Sequence, residues 1–148
     1  MRQSVLLDTG PLVALLKQQD HYHEWAKAEW ANIKPPLLTC ESVITEACFL
    51  MRDVYRGQEV VLELVQRGAV QISFRLDEEV AALERFLTRY RSVPMSLADA
   101  CLVRMAEQYR GSAILTLDSD FQIYRKDTNQ VIPVIMPPVW RKADEGKT

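Results

Sequence analysis

The chain has no apolar run that could cross a bilayer. Its longest, Val5-Leu6-Leu7 and Val131 to Met136, fall far short of the roughly 20 residues a spanning helix needs. No extended apolar segment or small-residue cleavage site marks the N-terminus, so no secretory leader is expected. Cysteine is scarce and odd in number: Cys40, Cys48 and Cys101 are widely spaced, each within an apolar segment. That pattern fits buried thiols in a reducing cytoplasm better than a disulfide framework or a zinc cage. Histidine is scarcer still. His21 and His23, two apart, point in different directions on a helix and make a poor metal pair. There is no glycine-rich phosphate loop, since Gly10 is isolated, and no Ser sits in a G-x-S-x-G elbow. An excess of positive charge is also missing, the net charge being −2. This argues against binding nucleic acid through bulk charge. It does not exclude cutting nucleic acid, because a carboxylate pocket is itself negative and divalent cations offset it locally.

What is present is an alternation of short β-like runs and longer helix-like ones, with no repeat or interdomain linker. At 148 residues the chain suffices for one domain. Strands are expected over Val5–Asp8, Leu37–Cys40, Ala69–Phe74, Ala113–Leu117 and Val131–Ile135. Helices are expected over Pro11–Lys17, His21–Asn32, Glu41–Asp53, Gln58–Gln66, Asp77–Tyr90 and Ser96–Tyr109, with a short one from Ser119 to Tyr124. Strands alternating with helices imply a three-layer α/β/α sandwich around a mainly parallel five-stranded sheet. In such sheets ligands sit outside the carboxyl ends of the strands.

Four acids fall near that edge. Asp8 closes the first strand, Asp118 follows the fourth, and Asp99 opens a helix in Ser96-Leu97-Ala98-Asp99. Each has an ordinary explanation by itself: Asp8 as a helix cap, Asp99 as part of a capping box, Asp118 as an Asx turn or cap. Glu46 lies one turn into the helix after the second strand, about 60° from Val43 on a helical wheel. There it borders the stripe of Val43, Ala47, Leu50 and Val54, and no Lys or Arg stands three or four residues away to pair with it. A half-buried carboxylate without a partner is costly. If the strands are parallel, all four acids converge. Clustered carboxylates need protons or a hard cation to relieve their repulsion, and an all-oxygen set suits Mg²⁺ or Mn²⁺.

These residues resemble the PIN domain family, and within it the VapC-type toxins of toxin–antitoxin pairs. The matching pieces are Leu6-Leu7-Asp8-Thr9-Gly10-Pro11-Leu12-Val13-Ala14-Leu15, Ser42-Val43-Ile44-Thr45-Glu46-Ala47, Leu97-Ala98-Asp99-Ala100 and Leu115-Thr116-Leu117-Asp118-Ser119-Asp120-Phe121. The resemblance implies a PIN-like nuclease domain over 1–137, followed by a polar tail over 138–148. It implies Asp8, Glu46, Asp99 and Asp118 as a catalytic metal site for Mg²⁺ or Mn²⁺, with Asp120 as a further acid and Thr9 and Thr116 as supporting hydroxyls. It also implies an RNA substrate, often transfer RNA, a homodimer, and restraint by an antitoxin protein. For the RNA path, Arg52 and Arg56 beyond Glu46, and Arg104 on the helix of Asp99, are the expected basic rim, with Arg125-Lys126 or Arg141-Lys142 as alternatives.

Two other classes compete. A receiver-type phosphoacceptor domain also carries strand-end acids and Mg²⁺, but needs an Asp after its third strand and a Lys after its fifth. Here Ser73-Phe74-Arg75 and Pro137-Pro138 stand in those places. A haloacid-type phosphatase wants D-x-D at the first strand, where the chain has Asp8-Thr9-Gly10. An inactive PIN-fold protein that only binds RNA or a partner would be expected to have lost an acid, and all four are present.

Overall fold

Leu6 and Leu7 are wholly buried because their strand, β1 (Val5–Leu7), lies in the middle of a sheet covered on both faces. The computed structural model describes residues 3–138. Apart from Pro138, the expected tail lies outside the described residues, as do Arg141 and Lys142. The other sheet strands are β2 (Leu37–Thr39), β3 (Val70–Ile72), β4 (Ala113–Leu115) and β7 (Val134–Ile135), in the order β3-β2-β1-β4-β7. All pairings are parallel, with Leu6 opposite Leu38 on one side and Ile114 on the other. The three-layer α/β/α architecture expected from the sequence is the one observed.

The chain runs outward from β1 through β2 to β3, then returns to place β4 on the far side of β1. Helices α1 (Thr9–Leu16), α2 (His23–Asn32), α3 (Glu41–Leu50) and α4 (Gly57–Gln66) belong to the outward path and pack together. Helices α5 (Val80–Arg89) and α6 (Leu97–Gln108) belong to the return, and α6 packs on β1 and β4. Right-handed crossovers put the two groups on opposite faces. The point where strand order reverses, between β1 and β4, is where such sheets open a crevice.

Several boundaries differ from expectation for local reasons. Helix α1 begins at Thr9 with Asp8 as its cap, so Pro11 is its third residue. A missing N–H there costs nothing, because the first four helical N–H groups lack intrahelical acceptors. Helix α3 stops at Leu50 rather than Asp53, and the chain turns through Arg56, whose φ is 54°. Gly57 then starts α4 where any Cβ would collide with the Met51 carbonyl. Before α5, Leu76–Glu78 form a separate 3-10 turn in which Asp77 pairs with Arg75 at 2.9 Å.

The expected fifth strand, Val131–Ile135, is divided. Val131 belongs to an antiparallel ribbon of β5 (Arg125–Lys126) and β6 (Gln130–Val131), and only Val134–Ile135 join the sheet. Pro133 separates them, having no N–H for a ladder. No helix among the described residues is long and apolar enough to cross a membrane. Cys40 and Cys101 are buried as expected, Cys48 is only half-buried, and all are free thiols.

Because Leu6 is fully enclosed between β2 and β4, Leu6→Ala should leave a cavity that the rigid sheet cannot close. A loss of about 3 kcal/mol in urea unfolding is expected, with an unchanged m-value. A loss below about 1 kcal/mol would mean that the sheet centre is less tightly packed than described.

A candidate carboxylate centre at the strand ends

The carboxyl ends of β1 and β4 are tied by hydrogen bonds that converge on Asp8 and Thr116. The Asp8 amide donates to the Leu115 carbonyl at 3.1 Å, extending the β1–β4 pairing by one step. The Asp8 side chain then caps α1, Oδ1 accepting from the Thr9 amide at 2.8 Å. Its Oδ2 accepts from the buried Thr116 hydroxyl at 2.7 Å. That same hydroxyl accepts from the Asp118 amide at 2.9 Å, so its single proton is committed to Asp8. Asp118 Oδ1 in turn caps the 3-10 turn Ser119–Gln122, accepting from the Asp120 amide at 2.9 Å.

Asp99 enters from the other side of the crevice, on the first turn of α6. The Ser96 hydroxyl accepts from the Asp99 amide at 3.0 Å, and Asp99 Oδ2 accepts from the Ser96 amide at 3.4 Å, forming the capping box foreseen in the sequence. The same Oδ2 accepts from the Tyr124 hydroxyl at 2.9 Å. Oδ1 has no hydrogen-bond partner among the described residues. Asp8, Thr9, Glu46, Asp99, Asp118 and Asp120 all line one cleft of about 570 Å³, floored by Gly10 and Leu117. A Cβ at Gly10 would meet the Leu117 side chain at 3.2 Å, so glycine there keeps the floor closed.

The electrostatics follow from burial. Asp8, 7 % exposed, has its carboxyl pushed from 3.8 up to about 6. Desolvation is the main cause, outweighing the bonds from Thr116 and Thr9, and the nearby charges of Asp99 and Asp118 add to it. Burial also raises Asp99, with Asp118 adding and the bonds from Tyr124 and Ser96 opposing. Asp120 is raised by burial and then by Asp118. The Tyr124 phenol is raised well beyond its usual range by burial and by Asp99, so it remains a donor.

Every side-chain donor lining this cleft is oxygen, and the buried Thr9 hydroxyl has no partner among the described residues. A hard divalent cation suits that donor set and would relieve the mutual repulsion. As placed, no three His, Cys, Asp or Glu side chains among the described residues are grouped to hold a metal ion. Asp8, Asp99 and Asp118 stand instead as separately hydrogen-bonded groups around a space shared with Glu46 and Asp120.

The family model of the PIN domain matches residues 5–127. The chain belongs to the PIN domain family. Its fold is also similar to the crystal structure of Mycobacterium tuberculosis VapC20, described as a sarcin-ricin loop cleaving toxin. That match has a TM-score of 0.72 at 25% identity, covering 81% of this chain and 94% of the other. No curated protein sequence matches the chain. The chain is therefore a PIN domain of VapC type, within a family of nucleases.

In this PIN domain the expected acids meet in one cleft, and Thr116 lies beneath it rather than on its wall. Glu46 needs a correction: it is exposed, not half-buried. The buried side of α3 and the residue after it is Val43, Ile44, Ala47 and Met51, while Leu50 is 45% exposed. From the centre of that stripe Glu46 stands about 115° away. It reaches the cleft from the rim.

Arg104 also differs from expectation, being held in ion pairs with Glu79 and Glu107. Arg52 lies 3.9 Å over the Phe49 ring and donates to the Phe49 carbonyl at 2.7 Å, while Arg56 stands 3.8 Å from Glu59. None of the three lines the cleft. Tyr124 was not anticipated. An aromatic residue just past a 3-10 turn carries no periodic signal, and only its contact with Asp99 marks it.

Because Asp8 binds its proton more tightly when folded than when unfolded, the native state carries more protons between about pH 4 and 6. Metal-free stability should therefore fall as pH rises through that window, by about 3 kcal/mol at most. Asp8→Asn should raise the urea midpoint at pH 7.5 in EDTA and flatten the slope. A lower midpoint with the slope retained would contradict this origin of the shift.

Proposed function

We propose that this PIN domain is an endoribonuclease dependent on Mg²⁺ or Mn²⁺ that hydrolyses RNA phosphodiester bonds as the toxin of a toxin–antitoxin pair. The observation carrying the proposal is the concentration of buried, mutually repelling carboxylates at the β1–β4 crevice, in a chain similar to a loop-cleaving toxin. Asp8, Asp99 and Asp118 would hold the cation, with Glu46 and Asp120 completing the set and Thr9 and Thr116 in support. When bound, the cation supplies Lewis-acid stabilisation of charge developing on the phosphate.

The chain's own groups supply the rest. Thr116 spends its proton on Asp8 and so keeps that carboxylate fixed on the crevice wall. Asp99 and Asp118 each retain one carboxylate oxygen free of hydrogen bonds among the described residues. One of them accepts the proton of the attacking water as its oxygen bonds to phosphorus and the P–O bond to the leaving nucleotide breaks. Arg52 and Arg56 would guide the RNA backbone at the rim, a role that Arg104 is poorly placed to share because its charge is already paired.

Partners follow from the same reading. Phe49, Leu50, Tyr55 and Leu62, on and between α3 and α4, are exposed at 60%, 45%, 90% and 54%. Such a run of apolar side chains favours protein contacts, and we assign it to a homodimer and to an antitoxin partner in the cytoplasm. The substrate is a structured RNA, either a transfer RNA or a stem-loop of the sarcin-ricin type.

Cleavage of a sarcin-ricin stem-loop and of bulk transfer RNA, in Mn²⁺ and in EDTA, tests the activity. Wild-type protein is expected to cut at least one of them in Mn²⁺ only. Asp8→Asn and Asp99→Asn should each lower the rate by at least about a thousandfold while keeping the native circular dichroism spectrum, because the acids act as a unit. Undiminished cutting by either variant would remove that acid from the mechanism. Cutting in EDTA would remove the cation.

A further inference from the structure

A carboxylate offered to a cation must be aimed, and Asp99 is aimed from one side only. Its terminal torsion is intrinsically broad, so hydrogen bonds decide which oxygen turns toward the cleft. The contact from the Ser96 amide to Oδ2, at 3.4 Å, is at the long limit of a hydrogen bond. The one from the Tyr124 hydroxyl, at 2.9 Å, is of ordinary strength. Both fall on Oδ2, and the Ser96 hydroxyl acts on the same carboxylate more weakly, so the orientation depends chiefly on Tyr124.

Tyr124 is itself tightly enclosed. It is fully buried, with its ring edge-on to Tyr90 at 5.0 Å and to Phe121 at 5.3 Å. Its amide donates to the Asp120 carbonyl at 3.1 Å, and the Tyr90 hydroxyl accepts from the next amide, Arg125, at 2.9 Å. A buried tyrosine usually finds a partner for its hydroxyl. Here the partner is an acid of the cleft, reached from the same segment that brings Thr116 to Asp8.

We propose that Tyr124 is a positioning residue of the carboxylate centre, its hydroxyl holding Asp99 Oδ2 against the protein so that Oδ1 is the oxygen presented to the cleft. This rests on the metal site proposed above. It extends that site to one continuous stretch, residues 116–124, which orients three acids: Asp8 through Thr116, Asp118 directly, and Asp99 through Tyr124.

The test compares Tyr124→Phe, which keeps the ring and removes the hydroxyl, with Phe121→Leu, which loosens the same aromatic packing and keeps the hydroxyl. Mn²⁺ binding to the RNA-free protein is followed by electron paramagnetic resonance, with Asp99→Asn as the reference for a lost ligand. Tyr124→Phe is expected to weaken Mn²⁺ binding about tenfold, the usual effect of removing a partner that orients a ligand. Phe121→Leu should lower the melting temperature more and weaken Mn²⁺ binding less, because the Tyr124 hydroxyl remains. Equal affinity in Tyr124→Phe and wild type, with binding lost in Asp99→Asn, would overturn the proposal. So would affinity losses that track melting temperature alike in both variants. If wild-type protein binds no Mn²⁺, it is the metal reading that fails. The positioning role is then decided by the Asp99 carboxyl ¹³C resonance in metal-free protein. A displacement in Tyr124→Phe that exceeds that in Phe121→Leu supports it, and an unmoved resonance overturns it.

Discussion

The Thr116 hydroxyl is the contact on which the rest depends. It donates to Asp8 and accepts from the Asp118 amide, so one oxygen fixes two acids that are 110 residues apart in sequence by their numbers. That is possible only because β1 and β4 are parallel neighbours with Leu7 opposite Leu115, which brings both strands to their ends at the same level. A slip of one residue in that register would turn Thr116 to the other face of the sheet and leave Asp8 buried without its donor. Sheet pairing and site chemistry are thus one constraint. The apolar runs that build β1 and β4 also aim the carboxylates.

The cleft holds its acids at the expense of stability. Asp8 is kept in a place where its charged form is disfavoured, and Asp99 and Asp120 are shifted in the same direction by burial and by their neighbours. A site of this kind is pre-formed for a counter-charge, and whatever cation enters is bound with part of its free energy coming from relief of that repulsion. The hydrogen bonds from Thr9, Thr116, Ser96 and Tyr124 keep the acids from collapsing onto other partners. Each uses a donor already required for a cap or a buried hydroxyl.

Much of this was legible in the residues. Continuous apolar runs located the central strands, and strand ends and helix starts located Asp8, Asp99 and Asp118, since caps and crevice acids occupy the same places. The capping box from Ser96 to Asp99 was readable from spacing alone and is present. The misplacement of Glu46 came from running the buried stripe through Leu50, which is exposed, and Val54, which lies beyond the end of α3. With α3 ending at Leu50, the stripe lies elsewhere. The division of the last strand by Pro133, and the two positive-φ residues Asp127 and Thr128 in the ribbon turn, left only weak traces in a short apolar run. Tyr124 and the ion pairs of Arg104 were not legible, because they depend on which helices meet across the return path.

The central claim is that a cation replaces protons in this cleft, and proton release on metal binding measures it directly. Mn²⁺ binding is followed by isothermal titration calorimetry at pH 6 and pH 8, in buffers of different ionisation enthalpy. With Asp8 titrating at about 6, each bound ion should release roughly half a proton from Asp8 at pH 6, and almost none at pH 8. Binding that releases no proton at pH 6 would show that the ion is held away from Asp8 and would contradict the account.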